Sequence, residues 1–180
     1  MKLIVLDRDG VINEDSDAFV KSVQEWLPIP GSLEAIARLC RAGWTVAVAT
    51  NQSGLARGLL DAQTLSDMHF HLQQQVMALG GRIELIVHCP HGPDDGCQCR
   101  KPLPGLFRSV AEHFHMPDLK GVPVVGDSHR DLHAGMLLGG LPYLVRTGKG
   151  LRTLKGSLPP GTKVFDDLAA VADHLLGIQR

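Results

Sequence analysis

Two carboxylates, Asp7 and Asp9, stand two residues apart at the end of the apolar run Leu3-Ile4-Val5-Leu6 and open onto Gly10. Acids this close repel one another unless a cation lies between them or one keeps a proton, so the pair calls for a metal ion or a division of roles. Four β-favouring residues cut off by a polar break describe a buried parallel strand. Such a strand delivers both acids to its carboxyl end, where ligands of open α/β sheets bind. The alternative is a solvated turn in which Asp and Gly only stop the strand, since one short motif is a hypothesis and no more.

Other polar residues fall at matching places. Thr50 and Asn51 follow the apolar run Thr45 to Ala49, Asp127 follows Gly121 to Gly126, and Lys101 stands in a loop ahead of a helical pattern. In a parallel sheet these strand ends share one edge. Two carboxylates, a third acid, a hydroxyl and a lysine around one point suit a phosphoryl group held with a divalent cation, magnesium by the hardness of the oxygen ligands. Thr50 and the amides beside it can donate to phosphate oxygens, and Lys101 can neutralise charge that develops in transfer.

A second cluster is Cys89-Pro90-His91, five residues, then Cys97-Gln98-Cys99. Three thiols and an imidazole at this spacing match a closed tetrahedral zinc site, which has no open position for a reacting water. Residues 91–96 hold almost nothing apolar, so the metal supplies order that a core cannot. Three free thiols and a surface histidine form the competing reading. Arg100 and Lys101 follow at once, so a clamped backbone would serve Lys101, whose misplacement costs catalysis. Arg100 reads as an outward group that grips a second anion or sugar hydroxyls, or as a solvated loop residue. Arg57 and Lys149 are further candidates for substrate anions.

The chain has 180 residues, is 44% hydrophobic and carries a formal charge of -1. That suffices for one substantial core, so a single domain over residues 1–180 is expected. Its charge gives no case for nucleic acid or an anionic membrane, and no apolar run reaches a membrane span. No signal-peptide pattern stands at the start, so a cytoplasmic protein, monomeric and acting on a small molecule, is expected. Strand and helix patterns alternate. Helices are predicted from an N-cap at Ser32 to Gly43, across Leu65 to Leu79, from Leu106 to Phe114 and from Leu168 to Leu175. Strands are predicted at Leu3–Leu6, Thr45–Ala49, Ile83–His88, Gly121–Gly126, Leu141–Val145 and Lys163–Phe165. The fold class is α/β: a Rossmann-like three-layer sandwich around a central parallel sheet, with a zinc-stapled loop. Cys40 and Trp44 read as core, Trp26 as either core or a sugar-stacking platform, His88 as packed or exposed, and His69 and His71 as solvated helix faces.

The order Asp-x-Asp-Gly, then Thr at a strand end, Lys and Gly-Asp resembles the haloacid dehalogenase superfamily of phosphotransferases. The resemblance implies that Asp7 is the nucleophile forming an aspartyl phosphate and Asp9 the general acid and then base. It also implies that Asp127 joins the Asp7 carboxylate and the Asp9 carbonyl in holding magnesium. Asp131 either orients metal-bound water or is an exposed first-turn acid that complements the helix dipole. The stretches Asp7 to Asn13, Thr50 to Gly58, the Cys/His loop, Arg100-Lys101-Pro102 and Val125 to Ser128 together look like the D-glycero-D-manno-heptose 1,7-bisphosphate 7-phosphatases, a branch shared with histidinol-phosphate phosphatases. By that likeness the enzyme releases the C7 phosphate, serving ADP- or GDP-heptose for lipopolysaccharide core or surface glycan. On the same likeness, Asn51, Gln52, Ser53, Arg57 and Arg100 are expected to contact substrate, and Cys89, His91, Cys97 and Cys99 to bind zinc. Neither Gly10 to Thr45 nor Gly54 to Arg100 has room for the folded cap of many relatives. Specificity therefore falls to the loops Asn13 to Pro30 and Asn51 to Leu60 and to the zinc segment. A zinc-stapled binding module without catalysis is the reading from another class. Ser128 stands where some relatives carry lysine, which leaves Arg130 as a candidate for the missing charge.

Overall fold

Successive residues of a strand point to opposite faces, and the first strand, β1 (Lys2–Leu6), fills two cores at once. In the computed structural model, which describes residues 1–178, Ile4 and Leu6 enter one core and Leu3 and Val5 the other. All four are buried, and full burial of such a side chain contributes about 2 kcal/mol. An acid at any of these positions would break the sheet, so the chain can place its carboxylates only past Leu6.

The elements run β1, α1 (Ser32–Arg41), β2 (Trp44–Asn51), α2 (Ala62–Ala78), β3 (Leu85–Cys89), α3 (Gly105–His113), β4 (Pro123–Gly126), α4 (His129–Met136), β5 (Leu141–Val145), α5 (Gly150–Thr153), β6 (Lys163–Phe165) and α6 (Leu168–Leu176). All strand pairs are parallel, in the order β3-β2-β1-β4-β5-β6. The chain winds outward from β1 to β3, then returns to lay β4 beside β1. That reversal opens a crevice at the carboxyl ends of β1 and β4. Leucines, valines and a methionine of α1, α2 and α6 close one face, where Trp26 is also buried. Leu106, Phe107, Val110 and Ala111 of α3, with Ala134 of α4, close the other. Between β1 and α1, residues 7–31 form turns and isolated bridges at Asn13, with no folded cap.

Local signals explain most boundaries. Asp61 caps α2 by accepting from the Thr64 amide at 2.8 Å, and Asp167 caps α6 through the Ala170 amide at 2.8 Å. Ser32 differs from expectation: Gly31 takes the N-cap position, and the Ser32 hydroxyl donates instead to the Ile12 carbonyl at 2.6 Å. β3 begins at Leu85 rather than Ile83 and runs one residue further, to Cys89. The single-turn α5, too short for any periodicity, was not expected. Among the described residues no helix is long and apolar enough to cross a membrane.

Candidate active site

β1 and β4 are neighbours, so Asp7 and Asp127 emerge side by side at the crevice. Asp7 Oδ1 accepts from the Arg8 amide at 2.8 Å and lies 3.0 Å from Lys101 Nζ. The Lys101 ammonium also meets Asp131 Oδ1 at 2.7 Å and donates to the Ala49 carbonyl at 2.8 Å. It is almost wholly buried. Burial works against its charge, but Asp131 and Asp7 outweigh that and hold its pKa above the ordinary lysine value. Gly10 has φ 85°, and a Cβ there would run into the Asp127 carboxylate; the residue lets the acid close over the loop.

The oxygens of Asp7, Asp127 and Asp131 can lie within 4.8 Å of one another. Burial, then repulsion from Asp131, pushes the Asp7 carboxyl up to about 7. Burial, then repulsion from Asp131 and Asp7, pushes Asp127 to about 8. Lys101 alone does not balance these acids, and an oxygen donor set with surplus negative charge fits a hard divalent cation. Asp131 corrects the picture of an exposed helix acid: it is buried, and both the Ser128 amide and hydroxyl donate to its Oδ2 at 3.1 Å. Burial raises its pKa less than Lys101 lowers it, so it stays ionised below the usual range. Ser128 thus works as helix cap to α4, a job that a lysine could not do.

The Asp9 carboxylate faces away from that group. Its Oδ1 accepts from Arg8 Nε at 2.9 Å, Arg8 Nη2 at 2.8 Å and Asn13 Nδ2 at 2.8 Å, and its Oδ2 from Gln52 Nε2 at 3.0 Å. Burial is outweighed by Arg8, Asn13 and Gln52, which lower its pKa. The fully buried Arg8 also touches His69 Nε2 at 3.3 Å. His69 is therefore not a solvated face; burial and the neighbouring Arg8 drop its pKa to about 3.

Asp7, Asp9, Asn51, Gln52, Ser53, Arg57, Arg100, Lys101, Asp127 and Asp131 line one cleft of about 360 Å³. Thr50 does not line it: the side chain is buried beneath, and its hydroxyl accepts from Gln52 Nε2 at 2.9 Å. Arg57, Arg100 and Arg130 stand at the mouth, and none has a carboxylate partner among the described residues. Burial, then Arg130 and Arg57, lowers the Arg100 pKa. Lys149, by contrast, is paired with Asp15 at 3.3 Å. Trp26 is core, packed edge-on against His71 and out of reach of a ligand.

Behind the cleft, the Cys89, His91, Cys97 and Cys99 donors converge within 4.8 Å. Cys89 Sγ lies 3.1 Å from Cys99 Sγ and 3.7 Å from Cys97 Sγ, and His91 Nδ1 lies 3.3 Å from Cys99 Sγ. Three sulfurs and one nitrogen so placed fit a tetrahedral zinc. Metal-free, burial pushes the Cys89 thiol up to about 12, a cost that a bound cation removes. Sequence reasoning missed Arg8, Asn13 and the burial of Asp131; the Ser128-x-x-Asp131 capping spacing was the available signal for the last.

The chain as a whole is similar to known proteins. The Hydrolase_like family model, described as HAD-hyrolase-like, matches residues 98–171. The chain is 60% identical over 177 residues to the D-glycero-beta-D-manno-heptose-1,7-bisphosphate 7-phosphatase of Bordetella bronchiseptica, covering 98% of each. It is 49% identical to the Neisseria meningitidis protein of the same name, over 98% of this chain and 95% of that one. A B. bronchiseptica crystal structure of D,D-heptose 1.7-bisphosphate phosphatase, complexed with magnesium and phosphate, superposes with a TM-score of 0.96 at 60% identity, over 98% of this chain and 99% of that one.

Proposed function

Because the chain belongs to the haloacid dehalogenase-like hydrolases, in their D-glycero-beta-D-manno-heptose-1,7-bisphosphate 7-phosphatase family, it is a phosphoric monoester hydrolase, and we propose that it releases the C7 phosphate of that bisphosphate. One observation carries the substrate reading. An acid floor that needs a cation shares one cleft with three guanidiniums that have no carboxylate partner among the described residues, an arrangement for a ligand with a reacting phosphoryl group at one end and a second anion at the other.

In the proposed reaction Asp7 attacks phosphorus, the P–O bond to C7 breaks, and Asp9 gives the leaving oxygen its proton. Asp9, now ionised, takes a proton from water, which attacks the aspartyl phosphate and returns Asp7. Lys101 stays beside Asp7 throughout and offsets negative charge on the transferred oxygens. Asp7, Asp127 and the Asp9 carbonyl would hold magnesium, with Asp131 close by, and the ion would supply Lewis-acid charge that the acids lack. Asp9 is held ionised by Arg8, Asn13 and Gln52, which suits the base step; to act as acid it must carry the proton taken from water in the preceding turnover and swing from Arg8 and Gln52 toward the leaving oxygen. Thr50 would contribute through Gln52 and its own main chain, Gln52, Ser53, Arg57 and Arg100 would contact the substrate, and Asn51 would line the cleft beside Lys101.

The reading extends to a zinc held by Cys89, His91, Cys97 and Cys99, and to a single-domain cytoplasmic monomer that touches neither nucleic acid nor membrane. Its 1-phosphate product suits nucleotide activation, hence ADP- or GDP-heptose supply for lipopolysaccharide core or surface glycan. Histidinol phosphate, which carries an ammonium, would meet Arg57, Arg100 and Arg130 as repelling charges. Phosphate release from the heptose bisphosphate and from histidinol phosphate, each with magnesium, tests the choice. Preference for histidinol phosphate would overturn it.

A further inference from the structure

Asn51 lines the cleft, yet both ends of its carboxamide are engaged by Lys101. Nδ2 donates to the Lys101 carbonyl at 3.1 Å, and the Lys101 amide donates to Oδ1 at 3.0 Å. A side-chain amide thus pairs with one residue's main chain as a neighbouring strand would, fifty positions away in sequence. The main chain of Asn51 is fixed too: it pairs in register with Cys89 at the end of β3, and the Gln52 amide donates to the Cys89 carbonyl at 2.8 Å.

Lys101 is therefore tied to β2 at three points: its amide and carbonyl to Asn51, and its ammonium to the Ala49 carbonyl. A lysine side chain free to sample its rotamers loses entropy on being ordered. Fixing its main chain leaves fewer ways for Nζ to miss Asp7. From this geometry we infer that Asn51 is a positioning residue, which acts through Lys101 and not by gripping the sugar. The inference rests on the catalytic role proposed for Lys101, but not on the identity of the sugar.

The test is a cycle of Asn51→Ala, Lys101→Ala and the double variant, with zinc content and melting temperature recorded. Phosphate release is followed with heptose 1,7-bisphosphate and with p-nitrophenyl phosphate, whose cleavage needs no sugar contact. For Asn51→Ala, kcat falls about 10- to 100-fold on both substrates while KM for the bisphosphate moves less than about threefold. In the Lys101→Ala background the same change costs almost nothing further. A large rise in KM with kcat kept, or losses that multiply in the double variant, overturns the inference. Should Asn51→Ala fail to fold, Asn51→Ser runs the same cycle. Unimpaired turnover by Lys101→Ala alone would instead strike the role of Lys101 itself.

Discussion

Lys101 and Asp131 form a buried ion pair, Nζ to Oδ1 at 2.7 Å, that joins the zinc-loop side of the cleft to the first turn of α4. Removing one partner of such a pair leaves a charge stranded without water. Asp131→Asn should cost about 3 kcal/mol at pH 7, read by denaturant unfolding. The sign of the pH dependence follows from the depressed carboxyl. Its contribution is present above the ordinary Asp value and is lost as pH falls through the lower folded value. The gap between the two proteins should close as pH falls below the ordinary Asp value and through the lower folded one, and a gap independent of pH would rule out the charged pair as its source.

Asp7→Asn should abolish phosphate release with magnesium present, since an amide cannot serve as the nucleophile. The variant should also be the more stable protein in chelator at pH 8. The Asp7 carboxyl is raised to about 7 by burial and by Asp131, so its ionisation costs stability as pH rises from the ordinary Asp value to about 7, and the whole cost is present at pH 8. Melting curves in chelator at pH 8 check the second outcome. Normal turnover would refute the nucleophile.

Magnesium affinity should climb steeply between pH 6 and pH 8. Metal-free Asp7 and Asp127 titrate near 7 and 8, so protons compete with the cation below those values and leave above them. Titration calorimetry at the two pH values should show at least about a tenfold gain. Equal affinities would mean that the two acids are already ionised without the metal.

Gln52 offers a gentler probe of Asp9 than the buried Arg8. Its amide donates to both Asp9 and Thr50, so Gln52→Met removes one bond that favours ionised Asp9. The pKa of Asp9 rises, and the pH profile of kcat/KM should move to higher pH by roughly half a unit to one unit. An unmoved profile with a raised KM would make Gln52 a substrate contact only.

The acids at strand ends were legible because a parallel sheet leaves few choices: Asp7 and Asp127 follow unbroken apolar runs, so both must emerge at one edge. The convergence of Cys89, His91, Cys97 and Cys99 was legible from residue type and spacing. Asp131 was not, since an acid in a first helical turn looks the same whether it meets water or a lysine folded back from the zinc loop. Thr50 pointed into the cleft on paper because it ends a strand, yet its side chain lies beneath Gln52. Trp26 went to the core for a tertiary reason, the packing of α2 through His71, that no local pattern contains.

Zinc removal should loosen the fold before it touches the chemistry of Asp7. The four donors hold residues 89–99 against α3, where a Cβ at Gly105 would strike the Gln98 carbonyl, so the loop and helix start are packed without slack. Purified protein should carry about one zinc per chain by metal analysis. Cys97→Ser, or a strong chelator, should lower the melting temperature, and the fall in kcat should follow as Lys101 loses its anchored approach. Magnesium alone should not restore that kcat, because it binds oxygen donors and leaves thiolates unpaired. Full stability and turnover in zinc-free protein would show that Asn51 and the packing of α3 hold Lys101 unaided.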